Sequence, residues 1–125
     1  MAQKNWQIHG AWGRNHIIGL YHGQDSGHVV VHCNNKVILL DFNVLDTKTY
    51  SFFVDQELCE LVIKPQADTY DYELNINYQA DTPQNRTRKD HEKKDRKAFI
   101  LSLIIGALIF LGAFLLAYFL VNLEK

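Results

Sequence analysis

Residues 98–121 constrain the chain most, because they form an apolar run without one charged side chain, AFILSLIIGALIFLGAFLLAYFLV. Only Ser102 and Tyr118 carry polar side-chain groups in this run. A helix that rises about 1.5 Å per residue makes the run about 36 Å long, which crosses the roughly 30 Å hydrocarbon core of a bilayer with some tilt. The alternative is a buried core helix, but a chain of 125 residues is too small to build a core around it. We therefore predict a single C-terminal transmembrane helix at residues 98–121, followed by a short tail at residues 122–125.

The charges near the predicted span are asymmetric. Residues 1–82 carry ten acidic and five basic side chains, and the whole chain has a formal net charge of -1. Seven basic residues lie just before the span, namely Arg86, Arg88, Lys89, Lys93, Lys94, Arg96 and Lys97. Because basic flanks stay on the cytoplasmic side, we expect a cytosolic N-terminal domain and contact between this basic segment and anionic lipid head groups of the bilayer. Acids interrupt the segment and it lacks interleaved aromatic residues, so we expect no nucleic-acid binding.

The expected compartment follows from three further features. Four residues follow the span, which favours insertion after synthesis, as in tail-anchored proteins of the endoplasmic reticulum or outer mitochondrial membrane. Cys33 and Cys59 form no CxxC pair and agree with a reducing compartment. The tripeptide at residues 85–87 is an N-glycosylation sequon, which points the other way because it is used only in a lumen. Short sequons arise by chance, so we favour the cytosolic orientation.

Residues 1–79 have the pattern of a small β domain. We expect a loose start at residues 1–5, a turn at residues 10–15, and strands at residues 6–9, 16–22, 28–33, 36–42, 49–54, 58–64 and 70–78. Glycine- and asparagine-containing turns separate the strands, and Pro65 is expected to end the sixth. Short strands at this spacing predict an antiparallel β-sandwich of about seven to eight strands. Residues 80–97 follow as a polar and then basic linker, helical where it joins the span.

The domain contains residue types that occur in metal sites and in hydrolase active sites. His22, His28 and His32 could suggest a metal, but no pair has zinc-finger spacing, and Cys33 is expected to face away from His28 and His32 on a regular strand. Ser26 could suggest a hydrolase, but its glycine loop is not followed by the helix that a nucleophile elbow requires. We expect no metal, no cofactor and no enzymatic activity.

The predicted span also contains small residues that let a second helix approach closely. They are Ser102, Gly106, Gly112, Ala113 and Ala117. We expect either a homodimer or a partner helix to use them.

Two motifs in the β domain resemble those of one protein family. Residues 22–31, His-Gly-x-x-Ser-Gly-x-x-Val-Val, resemble the HGxxSGxxVV signature of the Fas apoptotic inhibitory molecule family. Residues 70–77, Tyr-Asp-Tyr-x-Leu-x-Ile-Asn, resemble its YEYxLxIN strand. The residues that carry the resemblance are His22, Gly23, Ser26, Gly27, Tyr70, Tyr72, Leu74 and Asn77.

The resemblance implies an antiparallel β-sandwich that binds proteins and catalyses nothing. It also implies a role in regulating apoptosis or in protection against protein aggregation. Soluble members of the family carry a second related β domain, whereas a membrane anchor follows the first domain here. Our functional expectation is a membrane-anchored protein-interaction module. The alternative is a small single-pass accessory subunit whose span packs inside a larger membrane complex.

Overall fold

The structure is a computed structural model that describes residues 1–10 and 13–123. Its elements are β1 (Ala2–His9), β2 (Asn15–His22), β3 (Val29–Cys33), β4 (Lys36–Asp41), β5 (Lys48–Val54), β6 (Glu57–Gln66), β7 (Thr69–Ile76) and α1 (Pro83–Leu123). The strands form two antiparallel sheets, with the orders β1-β2-β3-β4 and β5-β6-β7. The predicted fold class, mainly β with one C-terminal helix, is confirmed.

The core lies between the two sheets and follows the alternation of the strands. The side chains of the core that are at most 1 % exposed are Ile18, Leu20, Val29, Val31, Cys59, Leu61 and Ile63. Alternate residues of a strand point to the same face, so each sheet presents one apolar face to the other. Burial of each such side chain stabilises the fold by about 1.5–3 kcal/mol. Val44, from the connection between β4 and β5, is also buried in this core.

Two predicted strand boundaries are wrong. β1 begins at Ala2, whereas residues 1–5 were expected to be loose, because this segment pairs with β2 from Ala2 opposite His22 onwards. β6 continues through Pro65, which was expected to end it. The pairing of β6 with β5 ends at Ile63, while its pairing with β7 continues to Gln66. No carbonyl of β5 therefore needs the N–H group that Pro65 lacks.

The turns between strands agree better with the sequence. Residues 34 and 35 form the hairpin turn between β3 and β4, with Asn34 at a φ of 46°. Asparagine tolerates this left-handed conformation better than most residues do. The expected turn at residues 10–15 includes residues 11 and 12, which lie outside the described residues, as do residues 124 and 125 of the expected tail.

The helix is longer than the predicted span, because residues 83–97 are helical as well. Thr82 caps its first turn, since its Oγ1 accepts a hydrogen bond from the Asn85 backbone N–H at 3.2 Å, and Pro83 occupies the first helical position. The chain divides into two compact units, residues 1–85 and residues 86–125. The helix is long and apolar enough to cross a membrane, and none of its most apolar stretch is buried.

Candidate functional site

His22, at the end of β2, is fully buried and uses both ring nitrogens. Its Nε2 lies 3.0 Å from the carbonyl oxygen of Val44. A carbonyl can only accept, so Nε2 carries the proton and donates this bond. Its Nδ1 lies 2.8 Å from the hydroxyl of Tyr72, and in the neutral imidazole this nitrogen accepts a hydrogen bond from that hydroxyl. These two hydrogen bonds join β2, β7 and the connection between the sheets.

Tyr70 and Tyr72 bring β7 to the same place. The Tyr70 ring meets the His22 ring edge-on, with 4.5 Å between centroids, and the Tyr70 hydroxyl donates to the Leu45 carbonyl oxygen at 3.1 Å. Burial raises the pKa of Tyr72, which keeps its hydroxyl a donor. The two tyrosines therefore hold His22 and the chain around Leu45 together.

The glycine loop packs against the same connection. Gly27 has a φ of 68°, and a Cβ there would lie 2.6 Å from the Val44 backbone nitrogen. The Gly27 carbonyl accepts a hydrogen bond from that nitrogen at 2.8 Å. Only glycine combines this conformation with so close an approach. We call His22, Gly27, Val44, Tyr70 and Tyr72 the His22 cluster.

The remaining residues of the first motif shape the loop. The Gly23 backbone N–H donates to the His28 carbonyl at 2.9 Å and the Gly23 carbonyl accepts from Gly27 at 2.7 Å. Ser26 Oγ accepts a hydrogen bond from the His28 backbone N–H at 3.5 Å. These contacts are those of a turn, in which Ser26 Oγ accepts one backbone N–H group.

The last two motif residues lie further along β7. Leu74 packs against the core and lines a cavity of about 260 Å³ with Trp6 and Ile8. Asn77 Nδ2 donates to Glu60 Oε1 at 2.8 Å. The two motifs thus meet at the His22 cluster, while Leu74 and Asn77 lie outside it.

Asn77 and Asn85 form the joint between the β domain and the start of the helix. Asn77 Oδ1 accepts the backbone N–H groups of Gln79 and Ala80, at 3.0 and 2.9 Å. Asn85 is 2 % exposed, and its Nδ2 donates to the carbonyls of Asn77 and Ala80 at 2.8 and 2.9 Å. The asparagine of the sequon is therefore part of the domain's own hydrogen-bond network.

Most residues of α1 that are predicted to contact lipid head groups or a second helix are exposed. Six of the seven residues of the basic segment are exposed, and Arg88 is half-buried. A Cβ at Gly106 or Gly112 would meet nothing within 4 Å, and Ser102 Oγ donates to the Phe99 carbonyl at 2.7 Å. At about 100° per residue, Ser102, Gly106, Ala113 and Ala117 share one helix face, whereas Gly112 lies about 110° from that face's centre.

The geometry of the cluster is that of a structural joint. Among residues 1–10 and 13–123, no group of three or more His, Cys, Asp and Glu side chains is placed to hold a metal ion. Comparison with models of known protein families, with characterised proteins and with solved structures finds no match for this chain. Sequence reasoning missed Val44, Leu45 and the structural use of Asn85. Val44 and Leu45 act through backbone carbonyls, which leave no residue signature. Asn85 did have a signal, because Thr82 and Pro83 just before it are residues typical of a helix start.

Proposed function

We propose that this chain is a single-pass membrane protein whose β-sandwich is a non-enzymatic protein-interaction module held at the membrane surface. One observation carries the proposal. Every leucine, isoleucine and phenylalanine between Phe99 and Leu120 is at least 46 % exposed on a continuous helix. Burial in lipid removes this apolar surface from water at about 25 cal/mol per Å², while the helix satisfies its own backbone groups.

The basic segment supports a cytosolic position for the β domain. Its seven cations lie on the β-domain side of the apolar run, and each contributes about 1 kcal/mol of attraction to an anionic leaflet. Retention of such flanks on the cytoplasmic side then orients the helix. We propose the endoplasmic reticulum or the outer mitochondrial membrane as the host membrane.

A substitution inside the span tests the anchor. Arginine at both Leu108 and Leu111 costs about 2.5–3.5 kcal/mol per residue at the centre of an inserted helix. We expect this variant to leave the alkali-resistant membrane fraction, whereas a variant with alanine at both positions stays in it. Retention of the double-arginine protein in that fraction would contradict the anchor.

An apolar surface on the first sheet supports the interaction role. Tyr21, Val30 and Leu40 form one row across β2, β3 and β4, opposite the core-facing residues, and Val37 lies beside His32 on the same face. We call Tyr21, Val30, Val37 and Leu40 the outer-face patch. Val37 and Leu40 are each 57 % exposed, and β4 is an edge strand. Apolar patches and open strand edges are where protein partners bind.

Lysines at Val37 and Leu40 test this surface. We expect the double variant to lose its protein neighbours in proximity labelling while its membrane fraction stays unchanged. Glu73→Lys, on an exposed position of the second sheet, adds the same charge away from the patch and serves as the control. An unaltered set of neighbours in the double variant would count against the interaction role.

The pathway is proposed from the sequence resemblance to the Fas apoptotic inhibitory molecule family alone. We propose regulation of apoptosis or protein quality control at the membrane surface. Loss of the chain should then alter survival under death-receptor or protein-folding stress, and restoration should require an intact outer-face patch. If the lysine variant of the outer-face patch restores survival as well as the wild type does, this surface is not required for the pathway.

The alternative is an accessory subunit whose span packs inside a larger complex. The specific observation that favours it is the helix face of Ser102, Gly106, Ala113 and Ala117, with open space at Gly106. Exchange of residues 98–121 for an unrelated span discriminates the two proposals. A tether keeps its partners after the exchange, whereas a subunit loses them.

A further inference from the structure

A second cluster of reactive groups lies at the other end of the strands, away from the His22 cluster. His16 is the second residue of β2, Cys33 ends β3, and Asp55 lies in the turn between β5 and β6. All three line one open cavity of about 580 Å³. His16 Nε2 lies 2.8 Å from Asp55 Oδ2, and His16 Nδ1 lies 3.9 Å from Cys33 Sγ.

The positions of the protons follow from the chemistry of these atoms. The Asp55 carboxylate can only accept, so Nε2 of His16 carries the proton and donates to it. Nδ1 faces the Cys33 thiol and the Asn34 side-chain amide nitrogen, which is 3.4 Å away, and in the neutral imidazole Nδ1 is the nitrogen that can accept a proton. Arg14 Nη2 also lies 3.9 Å from Asp55 Oδ1. A base whose ring is oriented by a carboxylate is therefore directed at a thiol, which is the arrangement that activates cysteine nucleophiles.

We propose that Cys33 is a nucleophilic thiol that accepts an acyl group from an activated ester or thioester bound in this cavity, with His16 as its general base and Asp55 as the residue that positions His16. In the forward step, His16 Nδ1 removes the Cys33 proton while Sγ attacks the acyl carbon. The bond to the leaving alkoxide or thiolate then breaks, and the proton on Nδ1 passes to that group. The products are one S-acylated chain and one free alcohol or thiol, with no change in oxidation state.

The composition of the cavity wall agrees with an acyl donor. Ile38, Phe53 and Val54 supply apolar surface for the acyl chain. Lys36 lines the same cavity and brings to it a positive charge of the sign that stabilises a developing oxyanion. The step is a stoichiometric modification, so it is compatible with a module that has no turnover and does not depend on the proposed interaction role.

The resting state of Cys33 makes the base necessary. Burial, and secondly the charge of Asp55, raise the pKa of the Cys33 thiol, so it is protonated at neutral pH. Attack then requires His16 to take the proton as the bond forms. Cys59 provides an internal control, because it is fully buried and its pKa is raised to about 11, first by burial. Both cysteines are free thiols.

The experiment acylates the full chain, purified in detergent at neutral pH, with p-nitrophenyl acetate and with an acetyl thioester. Intact mass and peptide mapping then follow the two thiols separately. We expect one acetyl group per chain on Cys33, none on Cys59, and a rate at least 100-fold lower in His16→Gln. Glutamine keeps an N–H donor for Asp55 but supplies no base, so this variant separates catalysis from folding. Equal Cys33 rates in wild type and His16→Gln, equal modification of Cys59, or no acetylation would overturn the proposal.

A double-mutant comparison tests the positioning role of Asp55. If Asp55 acts through His16, Asp55→Asn slows acylation in the wild-type background and has no effect in the His16→Gln background. A merely structural role would slow the reaction equally in both backgrounds. The same fold decrease in both would therefore remove Asp55 from the site.

Discussion

Tyr72→Phe tests the buried bond at the centre of the His22 cluster. The substitution removes only the hydroxyl that donates to His22 Nδ1 at 2.8 Å. His22 is 0 % exposed and its Nε2 is already engaged, so the Nδ1 lone pair is left buried without its partner. An unsatisfied buried acceptor costs about 1–3 kcal/mol. We therefore expect the free energy of unfolding of the β domain to fall by about 2 kcal/mol.

Tyr70→Phe is the matched control, because it removes the same atom two residues away. The Tyr70 hydroxyl donates to the Leu45 carbonyl in an exposed bond, where water can replace it. We expect a loss of about 0.5 kcal/mol for this variant.

Urea unfolding of the full chain in detergent, followed by tryptophan fluorescence, measures both variants. With an m-value of about 1–2 kcal/mol/M, a loss of about 2 kcal/mol lowers the midpoint by about 1–2 M. Equal midpoints for Tyr70→Phe and Tyr72→Phe would refute the assignment of a buried, tautomer-specific bond.

Three further predictions concern other joints of the fold. The hydrogen bond from Lys48, ahead of its other contacts, lowers the pKa of Asp41 to about 2, so its stabilisation is complete above about pH 4 and is lost as the pH falls towards 2. In Asp41→Asn, the free energy of unfolding should therefore fall less over this acidic range than it does in the wild type. An equal fall in the two proteins would contradict the prediction. Gly27→Ala should destabilise the domain by more than about 1–2 kcal/mol in thermal unfolding, because strain and a backbone clash act together. Gly13→Ala shares the positive φ, 71°, without the clash, and should cost less. Asn85→Asp should cost about 1–3 kcal/mol in the same assay, because two carbonyls lose their donor, and a neutral result would contradict the joint.

The sequence predicted most of the fold because its strongest signals are local. In β6, for example, Cys59, Leu61 and Ile63 are alternate residues that share one face, and all three are 0 % exposed. The boundaries that were wrong depend on neighbouring strands. Residues 2–5 have little apolar alternation of their own and become strand by pairing with β2. Pro65 is tolerated because β6 no longer pairs with β5 at that residue.

The candidate sites were less predictable, for a related reason. The motifs contained His22, Gly27 and Tyr72, but His22 and Gly27 meet at the backbone of Val44, and backbone N–H and carbonyl groups carry no residue signature. The Cys33 site joins residues that lie 17 and 39 positions from His16, and no spacing rule connects them. In both cases the packing of one sheet on the other brings the interacting groups together. The sites can therefore be identified only when the topology is known.

The position of Asn85 changes how the membrane orientation has to be measured. Its Nδ2, the atom that a glycan would modify, is buried and donates to two carbonyls. A folded domain therefore presents no acceptor nitrogen at residue 85 on either side of a membrane, and an unglycosylated chain does not demonstrate a cytosolic domain. We predict that a sequon introduced at the exposed residues 67–69 by Ala67→Asn also stays unmodified, whereas a luminal domain would be glycosylated there. Protease digestion of a tag at residue 1 in intact organelles measures the same orientation independently, and protection of that tag would reverse the proposed topology.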